Sequence, residues 1–88
     1  MAAHKHVIVG VHIHDRLTQV PNIQKLFSTY GCNIKTRLGL HDANEDYCAT
    51  TGLILLEMTG NLERIDELME KLNSHDGIDV QKMEFTDD

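Results

Sequence analysis

Hydrophobic and polar positions alternate strictly through His4–His14. Val7, Val9, Val11 and Ile13 take one parity; His4, His6, Ile8, Gly10, His12 and His14 take the other. A period of two with β-branched residues predicts a strand whose valine side meets a core. Residues 15–18 break the alternation, and Val20, Ile23, Leu26, Phe27 and Tyr30 then recur at helical spacing. Two caps are open for that helix, Asp15 and Thr18. Thr18 is preferred because it puts Pro21 in the first turn, where a missing N–H costs nothing; a start at Asp15 leaves Pro21 to kink the helix. Gly31 is expected to stop the helix in the left-handed conformation.

The pattern returns to a period of two at Asn33–His41. Ile34, Thr36, Leu38 and Leu40 are expected to face inward, and Lys35, Arg37, Gly39 and His41 outward. Residues 42–51 are polar or small and lack a period, which is long for a hairpin connection. Gly52–Thr59 is a third strand of another kind: Leu53, Ile54, Leu55 and Leu56 are apolar on both parities. Such a strand is covered on both faces. Asn61 then caps a second helix with the stripe Leu62, Ile65, Leu68, Met69 and Leu72. In the final strand, Ile78–Phe85, the apolar parity switches between Val80 and Met83, which predicts a bulge or an edge position. The tail Asp87–Asp88 is expected to fray.

The resulting order, β-α-β-β-α-β, predicts an α+β fold of the ferredoxin-like class. Right-handed crossovers give an antiparallel sheet, order 4-1-3-2, with both helices on one face. Two helices cover one face only, so a second subunit is expected on the other. The interface predicted there comprises Ile8, Gly10, Arg37, Gly39, Leu53 and Leu55, in a homo-oligomer such as a dimer or tetramer.

Composition narrows the function. The 88 residues suit a single domain, 1–88, and 41% hydrophobic with 25% charged residues is ordinary for a globular chain. A net charge of −6 argues against direct nucleic-acid binding, so regulation is expected to run through a protein partner or an effector. No apolar run reaches the roughly 20 residues that span a membrane. No signal-peptide layout opens the chain, so a cytoplasmic location with Cys32 and Cys48 as free thiols is expected over a single disulfide. Neither cysteine suits a nucleophile: Cys32 follows a helix C-terminus, and Cys48 has Glu45 and Asp46 nearby. No Ser-His-Asp order, Gly-rich phosphate loop or Cys-x-x-Cys is present, and no enzymatic activity is expected. The histidines are the other candidate chemistry. His12 and His14 point the same way, roughly 6.5–7 Å apart along a strand, and can contribute to a transition-metal site.

The segment Tyr30–His41, with its Gly31, Cys32, Ile34, Lys35, Thr36, Arg37, Leu38, Gly39 and Leu40, resembles the middle of a family of small bacterial proteins, the iron-only hydrogenase system regulators. Val20, Pro21, Gln24, Cys48, Gly52–Glu57, Gly77, Ile78 and Val80 agree with the same family. The resemblance covers nearly the whole chain. It implies an ACT-like domain, similar also to the C-terminal sensor domain of nickel-responsive repressors. ACT domains commonly hold small effectors near the turn after the first strand, which implicates Asp15 and Arg16. The repressor places His and Cys ligands near the central loop, which adds His41 and Cys48 to His12 and His14. Its His-x-His on the second strand is replaced here by Gly39, Leu40 and His41. Three functions are therefore expected in order: a non-enzymatic oligomeric regulator binding a small effector, a transition-metal sensor, and a structural interaction module.

Overall fold

The computed structural model describes residues 4–14, 16–40 and 52–87. The elements run β1 (His4–Ile13), α1 (Arg16–Thr29), β2 (Ile34–Leu40), β3 (Gly52–Met58), α2 (Leu62–Asn73) and β4 (Ile78–Asp87). The sheet order is β2-β3-β1-β4, all pairs antiparallel. This is the ferredoxin-like α+β arrangement predicted from the pattern. Among the described residues, no helix is long and apolar enough to cross a membrane.

The core forms between the sheet and the two helices. Val7, Val9, Val11 and Ile13 of β1 bury the predicted face, opposite Met58, Leu56 and Ile54 of β3 in register. Ile23 and Phe27 of α1, Tyr30 just beyond it, and Ile65, Leu68 and Leu72 of α2 close the core from above. Their helical spacing places each set on one stripe, which is why these helices lie flat on the sheet. The α2 cap is as predicted: the Asn61 side chain accepts a hydrogen bond from the Glu63 backbone N–H at 2.7 Å.

Four expectations are corrected. First, α1 begins at Arg16, so Thr18 lies within the helix and Pro21 in its interior. The proline lacks an N–H for the intrahelical ladder, and the Ile23 and Phe27 packing holds the helix together across it. Second, Gly31 does not adopt a left-handed conformation; among the described residues only Gly60 and Gly77 have positive φ. Gly31–Asn33 instead forms a 3-10 turn. Its exit is tied down twice, by Thr59 N–H to Asn33 O at 2.8 Å and Asn33 Nδ2 to Thr59 O at 3.1 Å.

Third, the bulge lies in β2, not β4. Ile34 pairs with Met58, yet Thr36 pairs with Glu57, leaving Lys35 as the extra residue. A one-residue insertion moves every following side chain to the opposite face. Arg37 and Gly39 therefore pair with Leu56 and Ile54, whose parity faces the helices, while Leu38 pairs with Leu55 on the open face. The predicted inward place of Leu38, and the outward places of Arg37 and Gly39, are reversed. Glu57 holds the irregularity, accepting from Thr36 Oγ1 at 3.2 Å with Lys35 Nζ at 3.9 Å. Fourth, β4 is regular along its whole pairing with β1, and Asp87 belongs to it, opposite His4, rather than to a frayed tail; Asp88 lies outside the described residues. Its edge position was predicted, and Asn73 Oδ1 accepts from the Val80 N–H at 3.2 Å on the unpaired side.

Candidate functional site

The face of the sheet away from the helices carries the exposed apolar side chains. Leu38, Leu53, Met83 and Phe85 are 52%, 37%, 56% and 55% exposed, and they are the large hydrophobic residues left in water among those described. Register places them in cross-strand rows. Leu38, Leu55, Gly10 and Gln81 form one row; Leu53, His12 and Asp79 form the next; Glu57, Ile8 and Met83 form a third; His6 and Phe85 lie beyond it. On this face Leu38, Leu53, Leu55, Ile8, Met83 and Phe85 are interleaved with the polar His6, His12, Glu57, Asp79 and Gln81. The carboxylates on it have partners within the chain: Lys35 Nζ lies 3.9 Å from Glu57, and His14 Nε2 hydrogen-bonds Asp79 at 2.9 Å.

At one end of this face, β1 and β4 bring three donors together. His12 stands directly opposite Asp79, and His14 follows two residues on, its backbone N–H bonded to Gly77 O at 2.7 Å. His14 Nε2 lies 2.9 Å from Asp79 Oδ2, and His12 Nδ1 lies 3.8 Å from that same oxygen. The imidazole rings meet edge to face, with centroids 4.5 Å apart. The hydrogen bond from His14 holds the Asp79 carboxyl below its ordinary range, with the nearby His12 adding to it. An open cleft of about 440 Å³ adjoins the cluster, lined by Gly10, His12, Leu53, Asp79 and Gln81 among others.

The predicted residues divide accordingly. His12 and His14 are brought together; His41 and Cys48 lie outside the described residues, as does Asp15. Arg16 is the first residue of α1. Ile8, Gly10, Leu53 and Leu55 share the open face. Arg37 and Gly39 do not: the Arg37 guanidinium packs over the Phe27 ring of α1, beside a smaller cleft of about 210 Å³ with Ser28, Gly31 and Ile34. Asp79, Leu38, Met83 and Phe85 were missed as site residues. Asp79 stands beside His12 only through the register of β4 on β1, and the bulge that exposes Leu38 carries no signal in the sequence either.

No family model matches the chain, and none of the curated proteins matches it. Among solved structures, the uncharacterized protein TM1266 from Thermotoga maritima is similar with a TM-score of 0.77 at 20% identity, over 93% of this chain and 99% of that one. CPII bound to ADP, AMP and acetate, from Thiomonas intermedia K12, is similar with a TM-score of 0.56 at 11% identity, over 98% of this chain and 91% of that one. At these identities the likeness is one of fold.

Proposed function

We propose that this protein is a non-enzymatic regulatory domain that self-associates through the open face of its sheet and holds a small effector where the copies meet. The observation that carries this reading is the gathering of Leu38, Leu53, Met83 and Phe85 on the face of the sheet opposite α1 and α2. Exposed apolar patches of this kind mark interaction sites. The occupant is a second copy of the chain because a two-fold interface sets like residues against like, which a patch with net charge would resist. Here Lys35 lies 3.9 Å from Glu57 and His14 hydrogen-bonds Asp79 at 2.9 Å, so both carboxylates bordering the patch are engaged within the chain.

The structural likeness to CPII makes adenine nucleotides and small carboxylates the first effectors to try, since ADP, AMP and acetate are bound in that protein. The resemblance of Tyr30–His41 to the iron-only hydrogenase system regulators supports the finer reading, in which the regulated partner belongs to such a system. Sedimentation equilibrium from about 1 to 100 µM tests the assembly, a span of roughly 3 kcal/mol in association free energy. A concentration-dependent oligomer that Met83→Lys plus Phe85→Lys dissociates is expected. A strict monomer across that range would overturn the reading.

A further inference from the structure

We infer that His12, His14 and Asp79 form a binding site for a divalent transition-metal cation of the Zn(II), Ni(II) and Co(II) class. Both imidazoles converge on one carboxylate oxygen, Asp79 Oδ2, at 3.8 and 2.9 Å, and one donor atom from each of the three residues falls within 4.8 Å of the others. A proton can bridge one nitrogen–oxygen pair in such a group; a cation can bridge all three. A metal about 2.1 Å from each donor needs donors roughly 3.0 Å apart in octahedral or 3.4 Å in tetrahedral geometry. The two nitrogen–oxygen separations, 2.9 and 3.8 Å, bracket those values.

The placement comes from the sheet rather than from mobile chain. His12 and Asp79 are cross-strand neighbours, and His14 is anchored through its backbone to Gly77. Two nitrogens and one oxygen suit borderline cations; calcium and magnesium call for oxygen donors throughout. Three ligands leave a coordination position open, and the adjoining cleft with Leu53 and Gln81 provides room for water or a small anion there. The triad lies at one end of the open face but within one chain, so its three donors do not depend on a second copy.

The test uses the full chain without an affinity tag, titrated with Co(II) and followed by visible absorption, then by Zn(II) displacement. One Co(II) per chain is expected, displaced by Zn(II). His14→Ala and Asp79→Asn should each weaken Zn(II) binding by about tenfold or more, with circular dichroism verifying that these exposed substitutions leave the fold intact. His6→Ala, farther along the same face, should bind as the unmodified chain does. The Met83→Lys plus Phe85→Lys variant should also bind normally, which separates this site from the assembly. Absence of binding at about 100 µM metal, a free-energy threshold near 5.5 kcal/mol, would overturn the inference. So would affinity undiminished in His14→Ala and Asp79→Asn, or lost in the Met83→Lys plus Phe85→Lys variant.

Discussion

The guanidinium carbon of Arg37 stands 4.9 Å from the centroid of the Phe27 ring, on the helix side of the sheet. A charged residue occupies the inner side of β2, and its neighbour Leu38 is in water, because Lys35 is accommodated as a bulge. Cation–π contact and its long apolar stem let Arg37 cover the rim of the core while its charge stays hydrated. Leu38→Lys should therefore change the stability of the monomeric chain by no more than about 0.5 kcal/mol, read by urea unfolding at low concentration. A loss of several kcal/mol would mean that Leu38 is packed inside.

The open face makes a second prediction through Phe85 and Met83, which are more exposed than Leu53. Replacing both with Lys puts two like charges against their counterparts in a two-fold pair. Self-association should weaken by at least about tenfold, or roughly 1.4 kcal/mol, in sedimentation equilibrium. The monomer should unfold at nearly the same urea concentration, since neither side chain belongs to the core.

Tyr30 is fully buried, yet its hydroxyl donates to Glu67 Oε2 at 2.7 Å, while Arg64 reaches the same oxygen at 2.9 Å. The Tyr30 bond leads the causes that hold the Glu67 carboxyl below its ordinary range, and Lys71 and Arg64 add to it. Tyr30→Phe should move the Glu67 pKa upward, measured by carbon-13 NMR of the side-chain carboxyl. The sign for stability follows: a depressed folded-state value contributes above the unfolded carboxylate pKa and is lost as pH falls through the folded one. The stability gap between the unmodified chain and Tyr30→Phe should therefore narrow on acidification. A Glu67 titration unchanged in Tyr30→Phe would remove this assignment.

Gly60 has φ of +91°, and a Cβ placed there would lie 2.9 Å from Asn33 Nδ2. That amide donates to Thr59 O and helps tie the start of β2 to the end of β3. Gly60→Ala should destabilise the fold by about 1–2 kcal/mol from backbone conformation, plus any cost of displacing Asn33. Thermal or urea unfolding reads this directly. Asn33→Ala should cost less in the Gly60→Ala background than in the unmodified chain, because the first change already disturbs the shared contact.

The sequence alone determined the elements and their order. The alternation of Val7, Val9, Val11 and Ile13, the stripe of Ile65, Leu68 and Leu72, and the Asn61 cap each follow local rules. The apolar residues on both parities of β3 also call for cover on the face away from the helices. Tertiary structure decided what depends on register between strands. Ile34 and Met58 must meet in the core while Glu57 gathers Lys35 and Thr36, and that combination requires an extra residue in β2. Periodicity within one strand cannot show which residue its neighbour will leave unpaired, so Arg37 and Leu38 exchanged faces. The same holds for Asp79, which is one acidic residue in a polar stretch until β4 pairs with β1 and sets its carboxylate against His12 and His14. Local periodicity specifies which side chains share a face; only the cross-strand hydrogen bonds fix which residues stand opposite one another, and the candidate site is built from such opposition.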